Sequence, residues 1–547
     1  QNMAGWIRLK IRGQKAGDEI RIRYGERLAE DGSVDQKSIG AHFRYPASFF
    51  VAPGGWFQTD LFVCDGSAEQ VYEPRFTYNG FQYAEISGLK SAPSADTVVA
   101  CVVHTDFADA GSFTCGNEVL NKLQEMILWA YRGNFADGYP TDCPHREKNG
   151  WTGDAQLASE LSMYNFQNVA AYEKWIGDLI DEQDGEGNLP GIVPTSGWGY
   201  QWGNGPAWDS ALVIIPWMLY IYQGDQHMLE RAYPAMVRYV DYMTSRSKDG
   251  LVSHGLGDWV PVTSKTPVEV TSSGYYYLDA QIVARTAELL GRREDAKKYG
   301  ALTASIREAF NRALYKGDGV YSIGSQTAES CALHQGLTPA GARAQTERKL
   351  IEAVERTGDH PDFGILGSKY VFRSLSEAGR TDLAYAMATK TDVPSYGAWI
   401  KRGATTFWED WGEGSSRNHI MFGDVSAWFY QYLGGIRLPS TVSAVAARVD
   451  PAAVAFKTFI VCPDPVEGLG WVTAEHDSPY GMIRSSWKKE AGTFTLDVDV
   501  PVNASATVYL PVKPDAANVT ADVKPVPSDR DRMAFNVGSG HYRFVVK

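Results

Sequence analysis

Long apolar runs are missing from this chain. The longest, such as residues 211–220, fall far short of the roughly 20 residues that span a bilayer, and mean hydropathy is −0.28, so membrane insertion is not expected. A basic surplus is missing too. With 52 basic residues against 65 acidic ones the formal charge is −13, and no large cationic surface is available to hold a phosphate backbone, so nucleic acid is not an expected partner. The six cysteines (Cys64, Cys101, Cys115, Cys143, Cys331 and Cys462) include no pair at C-x-x-C spacing. That argues against a zinc ribbon or a dense disulfide framework. There is no Walker loop, no Rossmann glycine pattern, no G-x-S-x-G elbow and no H-E-x-x-H pair, so no cofactor and no metal are expected. The stretch from Asp181 to Asn188 misses the ligand spacing of an EF-hand and reads as a solvated turn. Low-complexity tracts and sequence repeats are also absent.

At 547 residues the chain is several times the usual domain length, which implies two to four domains. Aromatics are abundant, 12% overall with 16 Trp and 29 Tyr, and many sit in Gly-rich or polar segments. Flat rings beside polar groups suit sugars, whose C–H faces pack on rings while their hydroxyls need hydrogen-bond partners. The other reading of each ring is ordinary core packing.

Residues 1–104 alternate with the period of half-buried strands, as in Ile7-Arg-Leu-Lys-Ile11, and read as an N-terminal β-sandwich. After a linker at 105–112 the spacing becomes helical. Asn117 is a plausible cap, and Leu120, Leu123, Ile127 and Ala130 fall on one face. Helical stretches follow at 154–182, 208–223, 227–246, 275–291, 295–314, 339–357, 368–389 and 424–434, which predicts about six hairpins wound into an (α/α)6 toroid over 113–438. Alternation returns in Phe494-Thr-Leu-Asp-Val-Asp-Val500, and 439–547 read as a C-terminal β-sandwich. The linkers are short, at 105–112 and 438–443, so the domains should pack together. The chain opens at Gln1 inside a strand-like phrase, which suggests that upstream sequence has been removed.

Two segments concentrate polar chemistry. The first is Tyr139-Pro-Thr-Asp142-Cys-Pro-His-Arg146-Glu147-Lys-Asn-Gly-Trp151-Thr-Gly-Asp154. Several carboxyls converge there in a backbone punctuated by Pro and Gly. Taken singly, Arg146 could equally tie the loop by an ion pair, and Asp142 or Asp154 could cap a helix. The second is Gly403-Ala-Thr-Thr-Phe-Trp408-Glu409-Asp410-Trp411, followed by Asn418-His419. Carboxyls flanked by tryptophans are expected to lose hydration, raising their pKa, although the same burial would suit a structural ion pair. His419 can equally be a satisfied core histidine. Two separated carboxyls on an aromatic-rich helical scaffold fit hydrolysis of a glycosidic bond, where one acid protonates the leaving oxygen and another activates water.

These two motifs resemble the bacterial α-L-rhamnosidases of glycoside hydrolase family 78. The resemblance extends to Asn2-Met-Ala-Gly-Trp6, Phe76-Thr-Tyr-Asn-Gly-Phe-Gln-Tyr83, Pro394-Ser-Tyr-Gly397 and Asn418-His419, in the family's order. It implies an α/α toroid flanked by β-sandwiches and the inverting removal of terminal α-L-rhamnose from glycosides or polysaccharides. By motif position, Glu147 would be the general acid and Glu409 the general base, with Asp142, Arg146, Trp151 and Asp154 binding rhamnose. Trp208, Trp259 and His419 match further pocket residues of the family. Rhamnose has a methyl group in place of the 6-hydroxyl, and its ring hydroxyls can donate to carboxylates such as Asp142 and Asp154. Family members commonly carry further β domains before the point where this chain begins, and such modules could contact the aglycone. His145 stands where many relatives have glutamine, a change expected to alter local hydrogen bonding alone. The alternatives are another toroid hydrolase or lyase, or a catalytically decayed carbohydrate-binding homologue. The partner expected is a rhamnose-containing glycoside or polysaccharide, and a periplasmic or extracellular location is favoured over a cytoplasmic one.

Overall fold

A computed structural model describes residues 1–42, 57–136, 138–195, 197–439, 451–514 and 518–547. The linker expected at 438–443 lies mostly outside these residues.

The N-terminal unit is two facing antiparallel sheets. Strand Met3–Arg12 pairs with Glu69–Tyr72, Asn79–Phe81 and Val98–Val102, while Glu19–Gly25 lies between Thr59–Val63 and Tyr83–Ser87. Alternation puts Ile7, Leu9 and Ile11 of one sheet against Ile20, Ile22 and Tyr24 of the other.

The central unit alternates two kinds of helix. Glu118–Gly133, Val169–Glu182, Gln226–Arg246, Arg293–Leu314, Ala340–Glu355 and Thr381–Thr389 have one buried stripe. Between them come Thr152–Asn165, Ala211–Gln223, Val268–Leu289, Gln326–His334, Ile365–Glu377 and the pair Val425–Trp428 and Phe429–Leu433, buried almost all round. A helix without a polar face needs protein on every side, so the second set forms the inner ring and the amphipathic set the outer one. The six-hairpin toroid is therefore present. The helix expected across 154–182 is two, broken at Phe166–Asn168, and that across 368–389 is likewise two. Gln326–His334 escaped the sequence reading because its Ser, Thr and Cys face neighbouring helices and leave no amphipathic stripe.

One buried network inside the ring is matched in charge. Glu160, Lys369, Arg373 and Asp424 are all buried. Lys369 lies 3.3 Å from Glu160 and 3.1 Å from Asp424, and Arg373 pairs with both acids. Burial pushes the Glu160 carboxyl up, yet the Arg373 and Lys369 charges prevail and hold it at about 2.

In the C-terminal sandwich one sheet runs Trp471–Ser478, Gly481–Glu490, Thr493–Val500, Gly540–Val546 and Val519–Ala521. Its first edge is Gly111–Cys115, antiparallel to Trp471–Ser478. That segment, divided in the sequence reading between linker and toroid, is a strand of the last domain: Phe113 and Cys115 are buried, and the first outer helix starts at Glu118 behind the Asn117 cap. No helix among the described residues is long and apolar enough to cross a membrane.

Candidate active site

The winding of the toroid sets where chemistry can sit. Inner-to-outer connections are short, as at Phe166–Asn168 or Gly224–Asp225, whereas the outer-to-inner loops at 134–151, 183–205, 247–267 and 390–424 are long. All long loops therefore emerge at one end, which is the end where the inner helices begin. Every candidate residue from the sequence lies on these loops or in the first turn beyond them.

Arg146 is the hinge of the arrangement. Its Nη2 donates to Glu409 Oε2 at 2.8 Å, and its Nε lies 3.4 Å from Glu147 Oε1, so one guanidinium joins its chain neighbour Glu147 to a glutamate 263 residues from Arg146. The guanidinium loses hydration on burial, but the neighbouring negative groups more than restore its charged form. Glu147 also accepts the Trp151 indole N–H at 2.9 Å through Oε2.

Burial favours the neutral form of Glu409, but the Arg146 and His419 charges and the Ser416 N–H at 3.0 Å outweigh it and hold the carboxyl below its usual range. The expected rise is thus corrected. The flanking indoles are not what surrounds the carboxylate: Trp411 stacks on Trp399 at 5.2 Å, and Trp408 lies under the Arg417 guanidinium at 4.6 Å. Both named contacts to Glu409 use Oε2, and Oε1 carries no hydrogen bond among the described residues.

Below this pair, His419 Nδ1 lies 3.0 Å from Asp154 Oδ1, both buried. Burial opposes the charged imidazole, but Asp154, Glu409 and Asp142 raise its pKa to about 9. Asp142 accepts the Asn149 N–H at 2.9 Å and the Cys143 thiol at 2.9 Å, tying the loop to itself instead of capping a helix. Burial, then the charge of Glu147, pushes its carboxyl well above the ordinary range. Trp208 is buried against Gly153, one residue before Asp154. Trp259 stands apart: the residue is 39% exposed, its carbonyl accepts the Ile365 N–H, and its neighbour Asp258 accepts from Thr327, Gly364 and Leu366 to cap an inner helix. No contact among the described residues joins the Trp259 ring to the carboxylates. Asp410 accepts the Ser415 N–H at 3.2 Å and serves its own loop.

Several supporting residues were not foreseen. Glu26, buried in the N-terminal domain, accepts from Asn2 at 2.9 Å and from the Arg417 N–H at 2.8 Å, and lies 3.5 Å from His145. Lys148, with φ of +55°, donates to the Tyr78 carbonyl and lies 4.3 Å from the Tyr78 ring centroid. The N-terminal sandwich thus braces both acidic loops, through contacts made by Asn2, Glu26 and Tyr78. His145 is part of that brace. Trp198 and Trp202, clustered on Trp151, were also missed, since Trp in a Gly-rich loop carries no period that would place it.

Comparison with known proteins gives the family. Residues 108–433 match the bacterial α-L-rhamnosidase six-hairpin glycosidase domain, 1–104 the concanavalin-like domain and 448–524 the C-terminal domain of the same proteins. The α-L-rhamnosidase of Streptomyces avermitilis is 33% identical across the whole chain, which covers 51% of that protein, and one from Formosa agariphila is 30% identical with 59% covered. The chain spans about half the length of the curated relatives it matches. The Streptomyces avermitilis crystal structure, complexed with L-rhamnose, superposes over the full chain with a TM-score of 0.89, and the α-L-rhamnosidase of Dictyoglumus thermophilum with 0.90; both are 32% identical, and the chain covers 51% and 61% of them. With all three domain types matched in order and the acidic loops gathered at one end of the toroid, this chain belongs to the bacterial α-L-rhamnosidase family.

Proposed function

We propose that the protein hydrolyses terminal, non-reducing α-L-rhamnosides with inversion. Glu147 acts as general acid and Glu409 as general base, while Asp142, Arg146, Trp151, Asp154, Trp208, Trp259 and His419 hold the sugar. The observation that carries this reading is the Arg146 bridge, which brings glutamates from two distant motifs to one guanidinium at the mouth of the toroid.

The environment suits the roles. A general base must be ionised, and Glu409 is held below its usual pKa with Oε1 left to take a proton from water. Glu147, oriented by the Trp151 indole, gives its proton to the glycosidic oxygen as the bond to the anomeric carbon breaks. Water forms the new bond from the opposite face, its proton passes to Glu409, and exchange with solvent resets both carboxyls. The Asp154–His419 pair and Asp142 supply buried polar groups for ring hydroxyls, and Trp208 supplies an apolar wall. Inversion follows the family resemblance and calls for carboxyls roughly 6.5–9.5 Å apart.

The test is release of p-nitrophenol from p-nitrophenyl α-L-rhamnopyranoside by the wild type, Glu147→Gln and Glu409→Gln, with the product anomer followed by NMR. Wild-type turnover, a fall of about 10² or more in each variant and an initial β-anomer are expected. An initial α-anomer would overturn inversion, and full activity in either variant would overturn that residue's role.

A further inference from the structure

The inner ring buries a second set of acids, and this one has no cation. Asp279, in the middle of the inner helix Val268–Leu289, and Asp209, at the end of the turn Pro206–Asp209, are both fully buried. Glu160 and Asp424 face Lys369 and Arg373, whereas no ion pair among the described residues reaches Asp209 or Asp279. The ionisable side chains around them are Tyr239 and Tyr242 of the outer helix Gln226–Arg246 and Tyr275 of Asp279's own helix, all pushed up by burial and so uncharged near neutral pH. Arg246, Asp184 and Glu186 act on Tyr242, and none of them bonds to either acid among the described residues.

The hydrogen bonds show how Asp279 is accommodated. Ser210 Oγ lies 2.6 Å from Asp279 Oδ2 and also within bonding distance of the Pro206 carbonyl. A hydroxyl has one proton, and a carbonyl can only accept. Were Asp279 a carboxylate, Ser210 would face two acceptors with a single proton, in a dry interior where an unpaired charge is already costly. A carboxyl proton on Asp279 settles both contacts: the acid donates to Ser210 Oγ, and Ser210 donates to Pro206. Burial acts in the same direction, pushing the Asp279 carboxyl well above its ordinary range and that of Asp209 with it. The bond also has a place in the site. Pro206 and Ser210 bracket Trp208, and Asp209 Oδ2 accepts the Gly205 N–H at 2.8 Å, so the turn that carries Trp208 is fastened to the inner ring through Ser210.

We propose that Asp279 is held as an uncharged acid whose O–H donates to Ser210 Oγ, and that it is a positioning residue for the Trp208 turn; the positioning role rests on the rhamnosidase reading, the proton does not. The proton is tested by chemical unfolding of the wild type and Asp279→Asn between about pH 5 and 8. Asparagine keeps a donor toward Ser210 but has no titrating proton. The folded wild type retains a proton that the unfolded chain releases above an aspartate pKa of about 3.9, so wild-type stability falls as pH rises, and the variant should gain on it about tenfold in folding equilibrium constant per pH unit. Parallel profiles overturn the uncharged acid. Should the variant not fold, infrared difference spectra of the wild type and Ser210→Ala decide: a protonated-carboxyl band that shifts on loss of its acceptor supports the proposal, and no shift overturns it. The positioning role is tested by kcat/KM on p-nitrophenyl α-L-rhamnopyranoside. Asp279→Ala should lose about tenfold or more, while Asp279→Asn should restore turnover and extend it to higher pH than in the wild type. Full activity in Asp279→Ala overturns the positioning role, and a wild type without turnover overturns the rhamnosidase reading while leaving the unfolding result intact.

Discussion

Replacing Gly153 with alanine sets two opposed effects against each other. Gly153 lies in the first turn of the inner helix Thr152–Asn165, where alanine ordinarily gains about 1 kcal/mol over glycine. A Cβ at this position, however, would lie 2.5 Å from Trp208 Nε1 and 2.6 Å from Cδ1 and Cε2. Ordinary contact starts near 3.4 Å, so the indole must retreat by about 0.9 Å. It has nowhere open to go, because Trp208 is 98% buried, and overpacking of that kind costs about 1–3 kcal/mol, so the clash wins over the propensity. The functional effect should be larger than the stability effect. Trp208 packs on Gly153, the residue before Asp154, and if it holds the sugar as proposed, a displacement near 1 Å can lower turnover by roughly 10². The assay is kcat/KM on p-nitrophenyl α-L-rhamnopyranoside together with thermal unfolding. Loss of activity well beyond any loss of stability is expected, with partial recovery in Gly153→Ala/Trp208→Phe, where a smaller ring relieves the contact. A Gly153→Ala protein that is more stable and fully active would show that helix propensity decides here and that the Trp208 contact constrains nothing.

Three further outcomes follow from the charge arrangement. The His419 imidazolium is stabilised in the fold, with a pKa of about 9 against an ordinary 6.5, so its contribution of roughly 3 kcal/mol is complete below pH 6.5 and disappears as pH rises through 9; denaturation midpoints at pH 6 and 9.5 should show that decline in the wild type, and an equal decline in His419→Gln would refute the assignment. Arg146→Met removes the largest influence opposing the desolvation of Glu409, so the acidic limb of the kcat/KM profile should move to higher pH, and a limb that stays in place would separate Glu409 from the base role. Asp424→Asn leaves Lys369 and Arg373 facing Glu160 alone, and breaking a buried ion pair costs about 3–5 kcal/mol; a loss under about 1 kcal/mol in chemical denaturation would show that the network relaxes instead.

Local periods made much of the architecture readable. The alternation in 494–500 and the stripe Leu120, Leu123, Ile127 and Ala130 describe elements with one wet face and one dry one, and such faces are written directly into the order of residues. Gln326–His334 was invisible for the opposite reason, since a helix enclosed on every side has no face to declare. The breaks at Phe166–Asn168 and Gly379 divide helical stretches whose composition barely changes across them, so only the return of the chain reveals them. The strand Gly111–Cys115 finds its partner at Trp471–Ser478, far along the chain, and no local pattern contains that pairing.

The candidate site divides in the same way. Residue type and motif order singled out Glu147, Glu409, Asp142, Asp154 and His419, because carboxyls amid Pro, Gly and Trp need a reason wherever they occur. Their relations came from tertiary structure alone. That Arg146 links the two glutamates, that Asp154 raises the pKa of His419, that Glu26 and Tyr78 of another domain brace both loops, and that Trp202 packs edge-on against Trp151 are all contacts between separated segments. The pKa of Glu409 shows the difference most clearly. Its sequence neighbours are tryptophans, which argue for a raised value; its neighbours in space are a guanidinium, an imidazolium and an amide, which lower it. A sequence determines which groups are available and which faces must be buried, whereas electrostatic environment falls off with distance through space, and only the closed toroid decides those distances.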